Sequence, residues 1–171
     1  MGGVFRFGSI AALVVLLDQV SKYWIARQFS LYETLPVLPG FFNLTYLTNT
    51  GAAFGLLAGQ PAFWRHLFFV AIAVTALVII TVLYFRLRQE SFFYELGLGL
   101  IAGGALGNLV DRVRLGSVVD FLDFYIGSYH WPAFNVADSA ITVGVSVFLV
   151  YSFFFDGRRE ERQAGKQQSA G

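Results

Sequence analysis

The sequence predicts an all-α membrane protein of four transmembrane helices, with a short β element between the first two. Three observations carry that expectation. Apolar residues make up 56% of the 171-residue chain and charged residues only 13%, at a mean hydropathy of +0.61; a soluble domain of this size needs more polar surface. Four apolar runs, residues 7–26, 66–85, 92–113 and 137–155, each approach the ~20 residues that a helix needs to cross ~30 Å of hydrocarbon. Trp24, Trp64 and Trp131 fall near the ends of those runs, where an aromatic belt meets the membrane interface.

Each element has its own justification. Arg6 ahead of the first run resembles the start of a secretory signal, but "DQVSK" follows where a small-residue cleavage site would stand. That favours an uncleaved span. The second run is almost uniformly apolar from Leu67 to Phe85, the pattern of a lipid-facing helix. The third holds "GLIAGGALGN", small residues that let helices approach closely. The fourth opens on "FNVADS", with Asn135 placed to cap the helix and Asp138 in its first turn, where the helix dipole favours an acid.

The largest non-spanning piece is the loop of residues 27–65. Aromatic and β-branched residues run through Phe41–Leu47, bounded by Pro39-Gly40 before and Asn49-Thr50-Gly51 after. This reads as a short β element lying on the membrane surface. Residues 1–157 form one membrane domain, and the basic tail 158–171 reads as solvated and disordered. Arg6, Arg86, Arg88, Arg158, Arg159, Arg162 and Lys166 would share one side, against Arg27, Arg65, Arg112 and Arg114 opposite. Seven against four puts both termini in the cytoplasm.

On that topology the unusual polar residues converge. Asp18 and Lys22, four apart on one helix face, lie in the outer half of the first span. Asn108, Asp111 and Arg112 lie at the outer end of the third, Asp138 at the outer start of the fourth, and Asp120 and Asp123 in the outer 114–136 loop. The ionisable groups thus collect at one depth, near the outer surface. Singly, each has a structural reading: an Asp18–Lys22 ion pair, an Asp111–Arg112 helix-end pair, a dipole-favoured Asp138. His66 and His130 read as packing or solvent residues.

Taken together, the acids suggest chemistry. With no Cys in the chain there is no disulfide, thiol nucleophile or thiolate metal site, and no Ser–His pair is evident. Two neighbouring carboxylates can share a proton, one polarising a carbonyl while the other activates water. Three alternatives stay open: a transporter using the acids as a proton relay, a metallohydrolase with Asp120, Asp123 and Asp138 as oxygen ligands, and a non-enzymatic assembly factor. The net charge of +1 gives no case for a nucleic-acid partner.

The motifs "LDQVSK" (17–22), "NTGAAFG" (49–55), "GGALGNLVDR" (103–112), "GSVVDF" (116–121) and "FNVADS" (134–139) resemble those of the lipoprotein signal peptidases, or signal peptidase II. The resemblance implies a multi-pass aspartyl endopeptidase of the bacterial inner membrane, with a periplasmic β-cradle between helices 1 and 2. It implies removal of the signal peptide from diacylglyceryl-modified prolipoproteins, just before the lipid-bearing cysteine, at the outer face of the membrane. Asp120 and Asp138 match the catalytic dyad. Asn49, Gly51, Asn108, Arg112 and Asn135 match residues lining the site, and Asp18 and Lys22 a supporting pair. The partners implied are the prolipoprotein and membrane lipid, with no cofactor, no metal, no nucleic acid and a monomeric enzyme. Which aspartate holds the proton stays open. Asp123 is expected to be a hydrated loop carboxylate.

Overall fold

The computed structural model describes residues 2–51, 61–88 and 91–156. Four long helices follow the four apolar runs: α1 (Gly2–Gln28), α2 (Ala62–Leu87), α3 (Phe92–Leu115) and α4 (Val136–Tyr151), the last continued by a π-helical turn, Ser152–Asp156. All four are long and apolar enough to span a membrane. The 158–171 tail and residues 52–55 of the "NTGAAFG" motif lie outside the described residues.

The helices leave many large apolar side chains outward for lipid and meet over a core of Ala11, Ile80, Tyr84, Leu98 and Ala102. On α1 the buried residues Ala11, Val14, Asp18, Lys22 and Ile25 recur at three- and four-residue intervals, one stripe of a 3.6-residue helix. Leu13, Leu16, Leu17 and Val20 are exposed for lipid. The most buried helix is α3, packed against α1, α2 and α4. Its glycines allow this, as the sequence suggests. A Cβ on Gly97 would sit 3.0 Å from the Gly144 carbonyl of α4, and one on Gly144 only 2.7 Å from the Gly97 carbonyl.

At one end of the bundle lies a four-stranded antiparallel sheet in the order β1 (Thr34–Leu38), β2 (Phe42–Asn49), β3 (Val118–Ile126), β4 (Tyr129–His130). The β element expected at Phe41–Leu47 is β2. The cradle is larger than the sequence reading placed it, because half its strands come from the loop between α3 and α4. "VVDFLDFYI" is rich in the β-branched and aromatic residues that suit a half-buried pleated surface. Gly116, at φ 73°, ends α3 and turns the chain into this strand. Trp24, Trp64 and Trp131 are exposed at the sheet end of the bundle.

One expectation fails at the opposite end. The ionisable groups do not all gather at one depth: Glu95, 2% exposed in the first turn of α3, takes Arg6 Nε of α1 at 2.8 Å. This pair ties the N-terminal ends of two parallel helices.

Candidate active site

The sheet and the helix ends bring Asp18, Lys22, Asn49, Asn108, Asp111, Arg112, Asp120, Asn135 and Asp138 into one cluster. Strand β3 carries Asp120, 3% exposed, opposite Leu47 of β2. Helix α4 carries half-buried Asp138 at its third position. Asn135 is the cap, as its placement suggests: its side chain accepts from Asp138 N–H at 2.9 Å, and Asp138 Oδ2 accepts from Asn135 N–H at 3.3 Å. This reciprocal capping box satisfies two N–H groups at the helix start. The same Asn135 uses its Nδ2 to donate to Asp120 Oδ1 at 2.7 Å. One fully buried residue therefore touches both carboxylates, Asp120 through its side-chain amide and Asp138 through its backbone N–H.

Asn108 of α3 holds the other side. Its Nδ2 donates to Asp138 Oδ1 at 2.7 Å, and its Oδ1 accepts from Asn135 at 3.2 Å and from Lys22 Nζ at 2.9 Å. Asn49, at the end of β2, hydrogen-bonds the Asp120 side chain while its Oδ1 accepts from Gly51 N–H at 2.8 Å. Gly51 has φ 91° and lies against the Phe69 ring, so no side chain fits there. Arg112 stands 5.6 Å over the same ring and donates to the Asn108 carbonyl at 3.3 Å. Asp138, Asp120 and Asp111 all lie within its electrostatic reach.

Burial, and then the charge of Asp138, push the Asp120 carboxyl up from its ordinary 3.8 to about 6, against the opposing pull of its bonds to Asn49 and Asn135 and the charge of Lys22. A carboxyl raised by desolvation and a like charge is the one that takes up a proton first. Hollows flank the pair. One of about 360 Å³ is lined by Tyr32, Leu47, Asn49, Asp120 and Pro132; another of about 420 Å³ by Trp131, Phe134, Asp138, Ser139 and Thr142. A chain lying across the 131–134 segment would meet both acids.

Three sequence readings change. Asp123 is not a hydrated loop carboxylate: it is 8% exposed, pairs across the strands with Asn43, accepts from Asn43 Nδ2 at 2.8 Å and lies 2.8 Å from His130 Nδ1. His130 is accordingly more than a packing residue, and its ring stacks on Tyr125 at 4.9 Å. Alternation along β3 turns Asp123 to the sheet face opposite Asp120, and among the described residues no three His, Asp or Glu side chains converge on one point. Asp111 takes Lys22 at 2.8 Å as its ion pair rather than its neighbour Arg112. Gln19, which sequence reasoning passed over, reaches Asp111 Oδ1 at 2.9 Å. Its position one residue after Asp18, beside an intramembrane ion pair, was the available signal.

Known proteins resemble this chain in sequence and fold. The family described as signal peptidase (SPase) II matches residues 10–154. The lipoprotein signal peptidase of Syntrophus aciditrophicus is 53% identical over 82% of this chain and 86% of its own length. That of Geobacter sulfurreducens is 48% identical over 92% and 94%. Two solved structures of bacterial membrane enzymes, obtained in meso at 2.3 and 1.9 Å, superpose with TM-scores of 0.74 and 0.72 at 38% and 36% identity; the first covers 84% of this chain and 85% of its own, the second 86% and 91%. A match running from the first span to the last, over a fold that assembles these acids, shows that the chain belongs to the signal peptidase II family.

Proposed function

We propose that Asp120 and Asp138 form the catalytic dyad of this aspartic peptidase and that Asn135, bonded to both, holds them as a unit. As a signal peptidase II the chain removes signal peptides from prolipoproteins. The cut falls just before a diacylglyceryl-modified cysteine. The observation that carries it is the shared residue Asn135, whose side-chain amide lies 2.7 Å from Asp120 and whose backbone N–H donates to Asp138 in the capping box of α4.

Asp120, raised to about 6, is the member that holds the proton. Asp138, faced by N–H donors from Asn108 and Asn135, acts as base. Water between them loses its proton to Asp138 and attacks the scissile carbonyl carbon, while Asp120 passes its proton to the carbonyl oxygen. When the tetrahedral intermediate collapses, the C–N bond breaks, Asp138 protonates the leaving amine and Asp120 recovers its proton. Arg112 offsets the negative charge of two acids in one site, and Asn49 and Gly51 shape the wall beside Asp120. Asp18 and Lys22 support the site from α1.

The sheet end faces the outside of the cell and both termini the cytoplasm, following the Lys/Arg distribution. A lipid-anchored cysteine presents its peptide bond at that outer surface, where the dyad meets it without drawing the lipid into water. The chain works as a monomer, needs neither metal nor cofactor, and does not bind nucleic acid. Purified protein incubated with a diacylglyceryl-modified prolipoprotein should release the signal peptide, visible on a gel. Folded protein that leaves the modified precursor uncut would refute the reading.

A further inference from the structure

Lys22 is 3% exposed, and its ammonium meets three acceptors: Asp18 Oδ2 at 2.8 Å, Asp111 Oδ2 at 2.8 Å and Asn108 Oδ1 at 2.9 Å. That uses all three of its donors. Gln19 Nε2 lies between the two acids, 3.2 Å from Asp18 Oδ2 and 2.9 Å from Asp111 Oδ1, and 3.2 Å from the Gly107 carbonyl. Burying two carboxylates and one ammonium is costly, and such a cluster is weak evidence for stability in itself. What the carboxylates grip is more telling. Asp18 Oδ1 accepts from the backbone N–H of Ala137 at 2.9 Å, and Asp111 Oδ2 accepts from that of Val119 at 3.1 Å. Ala137 and Val119 are the residues immediately before Asp138 and Asp120.

The two catalytic acids stand on unlike elements, the first turn of a helix and an extended strand, 18 residues apart in sequence. Each element is pinned one residue upstream of its acid, and both pins end on the same ammonium. Gly107 leaves the room this needs, since a Cβ there would lie 2.6 Å from Asp18 Oδ2. We infer that Asp111 and Gln19 join Asp18 and Lys22 as positioning residues, one charged cluster that sets the separation of Asp120 from Asp138. A misplacement of ~1 Å far from the chemistry can cost ~10²-fold in rate, so a spacing device acts on turnover more than on binding. The inference rests on Asp120 and Asp138 being the dyad.

The test is kcat and KM per mole of folded protein, with a diacylglyceryl-modified prolipoprotein as substrate. Asp111→Ala should lower kcat by ~10²-fold and Gln19→Ala by less, each with KM within about twofold of the parent. Asp111→Asn keeps an acceptor for Val119 N–H and should recover much of the loss, a rescue that mere core stability would not give. Parental kcat in folded Asp111→Ala, a loss carried by KM alone, or Asn no better than Ala overturns the inference. Should Asp111→Ala fail to fold, Asp111→Asn and Gln19→Ala decide it: parental kcat in both overturns it, and a kcat-only loss in Gln19→Ala supports it. Asp120→Asn and Asp138→Asn run beside them: if either cleaves normally, the dyad assignment is what has failed.

Discussion

Asn135 donates from its side chain to Asp120 at 2.7 Å across the junction between α4 and β3. Because the same residue caps α4, Asn135→Ala should act twice. Losing the cap costs about 0.5–2 kcal/mol of stability, and losing the bridge lowers cleavage in the molecules that remain folded. Thermal unfolding and rate per mole of folded enzyme separate the two effects. A variant that loses stability in that range yet keeps the parental rate would reduce Asn135 to a cap.

Asp120→Asn and Asp138→Asn should each remove nearly all cleavage, because an amide cannot exchange a proton as a carboxyl does. Asp123→Asn should keep most of its activity per folded molecule. Its bonds to Asn43 and His130 predict a lowered unfolding temperature instead. A dead Asp123→Asn beside an active Asp120→Asn would reverse the assignment.

The raised Asp120 carboxyl gives a stability prediction with a definite sign. Between 3.8 and about 6 the folded state binds more protons than the unfolded one, so this group's contribution falls as pH rises through that window. Its burial as an anion above pH ~6 costs up to about 3 kcal/mol, at about 1.4 kcal/mol for each pH unit of the window. Asp120→Asn should therefore unfold at a higher temperature than the parent at pH 7.5, and the advantage should vanish near pH 4. Equal unfolding temperatures at both pH values would mean that Asp120 is not desolvated.

Cleavage should follow a bell-shaped pH profile whose apparent pKa values belong to the pair. With the chemical step rate-limiting, a rate independent of pH from ~4 to ~9 would argue against shared-proton chemistry.

Activity should survive exhaustive chelation. Loss of cleavage in EDTA, restored by one divalent ion, would instead favour the metallohydrolase alternative.

The chain has no native cysteine, so topology can be read from single introduced thiols in intact cells. Ser128→Cys, in the exposed turn between β3 and β4, should react with an impermeant reagent and Gln168→Cys should not. The opposite pattern inverts the molecule in the membrane.

The four helices were legible because a lipid-facing helix writes its environment into an unbroken apolar run, and the small-residue stretch around Gly103 announced close packing. Asp18 and Lys22 were legible as a pair because four residues is a local helical spacing. What escaped depends on contacts distant in sequence. Strand β3 looked like loop because its acids masked a β-rich run whose partner, β2, lies some 70 residues earlier. In sequence Asp111 stands beside Arg112, yet it turns to Lys22 on another helix. Asp123 is buried with Asn43 opposite it on β2, and Glu95 with Arg6 reaching it from α1.

The sheet that frames the site also sets a timetable. Strand β2 leaves the ribosome long before β3, and Leu47 must wait for Asp120, so a half-made chain carries an open strand edge at the membrane surface. Asp138 follows later still, in the first turn of α4. The newborn protein therefore has no means of cutting anything until α4 has been made.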